Sequence, residues 1–195
     1  KDIGIKPTPT IGGVGLIKDY KKMITMDFKE IDNIVLVIGK TEGHIDQSLL
    51  SRIILNENNG PPPEVNLFNE KNNGLTLLDL IEKNFIKSAH DVSLGGIITA
   101  ISKMCIKSDK GIQIKKPKFL INEIEYFFAE DQGRYLIEIN PKDFKEVSKI
   151  LDKNSVHYDE IGKIIDKEMI IDQKTKLTID ELKSYNTNWL KSYMD

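Results

Sequence analysis

The 195-residue sequence holds a single cysteine, Cys105. No disulfide framework can form within the chain, and a reducing compartment, the cytoplasm, is the expected location. Long apolar runs are missing too. None approaches the roughly 20 residues that a membrane-spanning helix needs, and no secretory signal pattern is present. Neither sign of charge dominates: 28 Lys and Arg stand against 30 Asp and Glu, for a formal net charge of −2. That balance gives no electrostatic reason to expect nucleic acid or a membrane surface as partner. Three histidines, His44, His90 and His157, are spread too widely to pair with one another or with Cys105 at zinc-ligand spacing. Internal repeats and low-complexity tracts are absent. Arginine is the scarcest of the charged residues, with only Arg52 and Arg134 among the 28 basic positions.

The length suffices for one sizeable domain with a hydrophobic core. Residues 10–18, opening with "TIGGVGLI", read as a glycine-rich strand approached through Pro7 and Pro9. "NIVLVIG" (33–39) is a continuous apolar run, the pattern of a strand buried on both faces. Residues 45–55 read as a helix, and the three prolines of "NNGPPPEVNL" stiffen the loop that follows. Helical spacing returns at Leu75, Leu78 and Ile81. A short strand, "IQI", follows Gly111; residues 119–131 read as weakly helical; "RYLIEI" (134–139) alternates like a strand. Pro141 opens a helix running to about Leu151. "HYDEIGKII" and "EMIID" read as a hairpin, and a capped terminal helix is expected to dock through Trp189 and Tyr193. Interleaved strands and helices with some short strand-to-strand links imply a mixed sheet with helices on its faces, an α+β (mixed α/β) fold.

The stretch "AHDVSLGGIITAISKM" concentrates the chemistry. Leu94, Ile97, Ile98, Ile101, Met104 and Cys105 fall on one helical stripe, yet that helix opens with Gly95-Gly96. Glycine early in a helix costs about 1 kcal/mol relative to alanine, so two together need a reason. One reason is close packing of helix against strand. The other is an anion site, in which free N–H groups and the positive end of the helix dipole meet a phosphate. His90, Asp91, Ser93, Gly95 and Gly96 are therefore the candidate nucleotide- or phosphate-binding residues. Ser93 would cap the helix or donate to the anion, and Asp91 would hold a magnesium ion or orient His90. In so lysine-rich a chain Arg134 marks a place where a planar, multidentate donor is needed. It is expected to pair with Glu130 across the turn "AEDQGRYL", as a structural or ligand-facing pair. Arg52 reads as an ordinary surface partner. "TIGGVGLI" lacks the Lys-Ser/Thr of a phosphate loop, so its glycines read as room for a neighbouring backbone or domain. Cys105, on the apolar stripe, reads as a buried core thiol.

Taken in order, "PTPTIGGVGLI", "GHIDQSLL", "GPPPEVNLFNE", "SAHDVSLGG", "FFAEDQGRYLIEI" and "NWLKSYMD" resemble the C-terminal part of the phosphoribosylformylglycinamidine synthase family, and more closely its small, multi-subunit form. The resemblance covers nearly the whole chain. It implies a domain of the AIR synthase-related superfamily: a three-layer α/β/α fold with a mixed sheet, like the C-terminal domain of aminoimidazole ribonucleotide synthetase. It implies residues 1–20 as an incoming strand and linker from an upstream domain, 10–172 as the domain proper, and 173–195 as a C-terminal helix and tail. The family is a carbon–nitrogen ligase of purine biosynthesis. It turns formylglycinamide ribonucleotide, ATP and glutamine-derived ammonia into the amidine, using ATP and Mg2+ and working with a glutaminase and a small accessory subunit. This chain would be its second C-type domain, inactive alone, without a catalytic residue, with the "HDVSLGG" and "AEDQGRY" regions facing an auxiliary nucleotide site. Three positions depart from the family pattern: Leu94 and Asn66 stand where Asp is usual, and Asp46 where Gly is usual. A non-ligand-binding module that organises the glutaminase and accessory subunits is the alternative. Another superfamily member, such as a selenophosphate synthetase or thiamine-phosphate kinase, fits "PTPTIGG" and "HDVSLGG" less well.

Overall fold

A computed structural model describes residues 9–115 and 121–194. Seven strands build one sheet: β1 (Ile34–Ile38), β2 (Ile86–Asp91), β3 (Gly111–Ile114), β4 (Tyr135–Ile139), β5 (Tyr158–Ile165), β6 (Glu168–Ile171) and β7 (Thr175–Thr178). Their spatial order is β2-β4-β1-β5-β3-β6-β7, and every neighbouring pair is antiparallel except β3 with β6. Five helices cover it: α1 (Leu67–Glu82), α2 (Gly96–Ser108), α3 (Glu123–Phe128), α4 (Phe144–Lys153) and α5 (Ile179–Met194). The uninterrupted apolar run of β1 now has its reason. Val35 and Val37 enter a core formed with α2, α3 and α5, while Leu36 and Ile38 enter a second core under α1 and α4. A strand with a helical layer on each side has no face left for polar residues. The architecture is the expected α/β/α sandwich on a mixed sheet.

Several local expectations need correction. Residues 10–18 form no strand here and pair with none of the seven. The helix expected over 45–55 shrinks to one π turn at Leu50–Ile54, because Gln47 adopts a left-handed backbone (φ 61°) and interrupts it. Strand β2 was not legible, since Lys87, Ser88 and His90 give it a polar pattern. The segments of β5 and β6 do not pair with each other: β3 lies between them, and the actual hairpin is β6–β7. α1 turns Asn73, Thr76, Leu77 and Leu80 inward and leaves Leu75 and Leu78 exposed. The cap of α5 is as expected, with Thr178 Oγ1 accepting from Glu181 N and Glu181 Oε2 accepting from Thr178 N. Docking is not. Ile179 and Leu182 anchor that helix, while Trp189 is 63% and Tyr193 79% exposed. Cys105 is fully buried, and burial pushes its thiol up to about 12, which removes it as a nucleophile.

One buried carboxylate fixes the chain leading into the sheet. Glu138, on β4 between Ser88 of β2 and Val35 of β1, has no exposed surface. Its two oxygens accept from Lys29 N (2.8 Å), Glu30 N (3.0 Å), Asn33 Nδ2 (2.7 Å) and Ser88 Oγ (2.7 Å). Four donors converging on two oxygens satisfy a group that would otherwise be costly to bury. Glu138→Gln places an amide N–H against those donors and should lower unfolding stability by about 2–4 kcal/mol. The exposed change Glu146→Gln should stay within about 0.5 kcal/mol. Urea denaturation of the two variants checks the difference.

Candidate functional site

Antiparallel pairing brings the C-terminal ends of β1 and β2 and the start of β4 to one end of the sheet. Two cavities open there. The larger, about 580 Å3, lies between the loop after β1 (Lys40, Glu42, Gly43, His44), the polar face of α1 (Asn66, Asn69, Glu70, Asn73) and the turn at Asp131–Gly133. The smaller, about 220 Å3, is bounded by Asp91, Ser93, Leu94, Glu130 and Arg134. Glu70, Gln132 and Gly133 line both, so the two form one groove.

The turn before β4 organises this groove. Arg134 is buried, and its guanidinium donates from Nε to Asp131 O (3.1 Å), from Nη1 to Thr41 Oγ1 (3.0 Å) and from Nη2 to Ala129 O (2.7 Å). The Asp131 carboxylate lies 3.7 Å from Nη1. Burial pulls the Arg134 pKa below its ordinary value, and the negative charge of Asp131 opposes that pull. Asp131 in turn receives the backbone N–H groups of Glu42, Gly43 and His44 at 3.0, 3.2 and 3.2 Å. The expected Glu130–Arg134 hydrogen bond does not form. Glu130 acts on the guanidinium only through space, and its Oε1 accepts instead from Leu49 N (2.7 Å) and Gly95 N (2.8 Å). The close carboxylate of Arg134 is three residues upstream, at Asp131.

That second contact explains the glycine pair. Gly95 and Gly96 both lie in the left-handed region, at φ 82° and 70°. A Cβ on Gly96 would stand 2.6 Å from the carbonyl oxygens of Phe127 and Ala129. The start of α2 is thus pressed onto the α3–β4 connection, and the close-packing reason holds. The place expected for a phosphate is taken by an internal anion, Glu130, which suits the positive end of a helix dipole equally well. Ser93 does not cap α2 with its side chain; its carbonyl accepts from Gly96 N (3.0 Å). Leu94 leaves the buried stripe altogether, 56% exposed at the lip of the smaller cavity.

His90 and Asp91 end strand β2. His90 Nδ1 lies 3.1 Å from Asp91 Oδ1, while its Nε2 is buried without a hydrogen-bond partner among the described residues. Asp91 is exposed and lines the smaller cavity. Among the described residues no three His, Cys, Asp or Glu side chains converge as a metal shell, so a magnesium ion at Asp91 would take its other ligands from phosphate and water. Asn66 caps α1, accepting from Asn69 N (3.0 Å). Sequence reasoning missed Lys40, Glu42, Glu70 and Gln132. The signal available was the polar row Asn66, Asn69, Glu70 and Asn73, which repeats at helical spacing on one face of α1. Chemically the groove is acidic: Glu42, Glu64, Glu70, Asp91, Glu130 and Asp131 face Lys40 and His44.

Two substitutions test this construction. Arg134→Lys cannot reproduce three fixed donors and should cost about 2–4 kcal/mol, whereas exposed Arg52→Lys should change stability by no more than about 0.5 kcal/mol. Gly96→Ala, strained in φ and blocked by two carbonyl oxygens, should cost at least about 2 kcal/mol. Gly12→Ala, which meets nothing within 4 Å, should be neutral. Denaturant midpoints for the four variants decide both comparisons.

Comparison with known proteins places these features in context. Residues 30–173 match the family described as AIR synthase related protein, C-terminal domain. The phosphoribosylformylglycinamidine synthase subunit PurL of Pelagibacter ubique is 68% identical over 195 residues, which is 100% of this chain and 27% of that protein. PurL of Bartonella henselae is 37% identical over 190 residues, covering 97% of this chain and 26% of the relative. The chain therefore spans about a quarter of the length of these relatives. Among solved structures, Thermotoga maritima PurL complexed with FGAR aligns with a TM-score of 0.69 at 16% identity, over 84% of this chain and 30% of that one. At that identity the likeness speaks for the fold.

Proposed function

The chain belongs to the AIR synthase related protein, C-terminal domain family, and from that premise we propose that it is the second C-type domain of an ATP-dependent phosphoribosylformylglycinamidine synthase. The observation that carries the reading is 68% identity to a PurL subunit across every residue of the chain. The whole enzyme would join formylglycinamide ribonucleotide to glutamine-derived ammonia at the expense of ATP, as a ligase. The solved T. maritima PurL complexes with ATP and with FGAR, and the PurLQS structure, support nucleotide, substrate and partner subunits for such an enzyme. In this reading the upstream domains of the subunit, a glutaminase and a small accessory subunit are the partners of this domain. The protein would work in the cytoplasm.

Within the enzyme this domain acts as a positioned wall and carries no catalytic residue. Phosphoryl transfer needs a metal, a nucleotide cradle and an acid–base group held together. Here the carboxylates of Asp131 and Glu130 are engaged by backbone N–H groups of the same domain, and Arg134 faces inward. A bare phosphate does not fit the start of α2 as arranged, because Glu130 already accepts from Gly95 N. Magnesium held by Asp91, with ATP at His90, Asp91, Ser93, Gly95 and Gly96, remains the nucleotide-facing version of the proposal. The closed helix start favours the alternative, an interaction module that binds no ligand.

An assay separates these readings. The chain alone, freed of host enzyme, should give no ATP-dependent amidine from formylglycinamide ribonucleotide and ammonia; measurable product would sink the non-catalytic assignment. In the same preparations, ADP with Mg2+ at 100 times its dissociation constant would stabilise a binding domain by about 2.7 kcal/mol. An unchanged thermal midpoint at millimolar ADP selects the interaction module.

A further inference from the structure

Asparagine is a chemically labile side chain, and most so before glycine, which leaves the next N–H unshielded and lets the backbone fold onto the side-chain amide. The chain holds two such pairs, Asn59-Gly60 and Asn73-Gly74. Their environments are opposite. Asn73 is buried, its Nδ2 donates to Gly133 O (2.9 Å), and Gly74 lies inside α1, where its N–H is a rung of the helical ladder. Attack by Gly74 N on the Asn73 side chain requires that turn of the helix to open first.

Asn59-Gly60 is open. Both residues are exposed in the loop between the π turn and the prolines. Among the described residues no hydrogen bond holds the Asn59 side chain or the Gly60 N–H. Only their carbonyl oxygens are engaged, both by Gln47 Nε2, at 3.1 and 3.2 Å. Gly60 has a left-handed backbone (φ 82°), and a Cβ there would collide with the Asp46 carboxylate. Both features favour glycine at this position, so the residue that suits the turn is also the one that leaves Asn59 open to attack.

We propose that Asn59 is a site of spontaneous deamidation. Gly60 N, giving its proton to hydroxide, attacks Cγ of Asn59; the Cγ–Nδ2 bond breaks, ammonia leaves with a proton from water, and a succinimide ring closes through the main chain. Water then opens the ring at either carbonyl, giving aspartate or isoaspartate without oxidant or enzyme. Two changes follow in the loop. A carboxylate appears beside the glycine over which the Asp46 carboxylate lies, and the like charges repel. In isoaspartate the main chain detours through Cβ and Cγ, one carbon longer, and the former Asn59 carbonyl becomes the free carboxylate, so the paired grip of Gln47 is lost. The same loop presents Pro61 O to His44 Nε2 (3.0 Å), and His44 lines the larger cavity. Deamidation therefore loosens one wall of the groove.

Ageing the 195-residue chain in neutral buffer tests this, with peptide mapping that separates asparagine, aspartate and isoaspartate. Asn59 should convert at least about 100-fold faster than Asn73, which must wait for α1 to open locally. Its rate should rise with pH, because the attacking nitrogen must lose a proton. Conversion at Asn59 no faster than at Asn73, or than at exposed Asn58, which no glycine follows, overturns the site. The imidazole NMR signals of His44 read the consequence. They should shift in aged protein and stay in place in aged Asn59→Gln, whose longer side chain closes the ring poorly. Unchanged signals in fully converted protein, or the same shift in aged Asn59→Gln, overturn the effect on the groove.

Discussion

A guanidinium taken out of water must find an acceptor for each direction in which it can donate, and Arg134 finds three of them in two separate pieces of chain. Ala129 and Asp131 belong to its own turn, and Thr41 to the loop after β1. Because Asp131 also collects three consecutive N–H groups of residues 42–44, the loop and the turn cannot move independently. Glu130, held in place by the same turn, then reaches Leu49 and Gly95. One buried charge therefore sets the positions of the β1 loop, the π turn and the first residues of α2. The groove at this end of the sheet is the space those pieces leave. Burying a lone charge is prohibitive, so the pieces hold one another in place.

Glu138 does comparable work nearer the middle of the sheet, with opposite sign. There the donors come from residues 29, 30 and 33, which precede β1, and from Ser88 of β2. The two sites are independent, since one lies among backbone carbonyls at the sheet end and the other between strands. Together they pin the segments before and after β1, the strand on which both hydrophobic layers rest.

Features settled by neighbouring residues could be read from the sequence. The apolar run of β1, the alternation of β4, the stripe of α2 and the Thr178–Glu181 cap of α5 depend on periodicity or on contacts a few positions apart. Features settled by distant partners could not. Ser88 looks like a loop residue until Glu138, fifty positions away, is placed against it. β5 and β6 look like a hairpin because nothing in either segment announces that β3 will be inserted between them. Arg134 was conspicuous through rarity, but rarity names the residue and not its acceptor. The glycine pair offered two readings of equal standing, and only the approach of Phe127 and Ala129 chose between them.

The interior and the exterior of this domain answer different demands. Inside, among the described residues, the only buried side-chain nitrogen or oxygen without a hydrogen bond is Nε2 of His90. Outside, large apolar side chains lie open on α1 at Leu67, Leu75 and Leu78, on α5 at Tyr185 and Trp189, and along residues 10–18 at Ile11, Val14 and Leu16. Scattered exposed apolar residues are normal, but these fall on one helix stripe, one helix end and one unpaired segment. A core this complete does not need those surfaces for its own stability, since none of them contributes to either hydrophobic cluster. The groove shares this division: Asp131, Glu130 and Arg134 hold the domain's own loops in place, while Glu64, Glu70 and Asp91 line its open side.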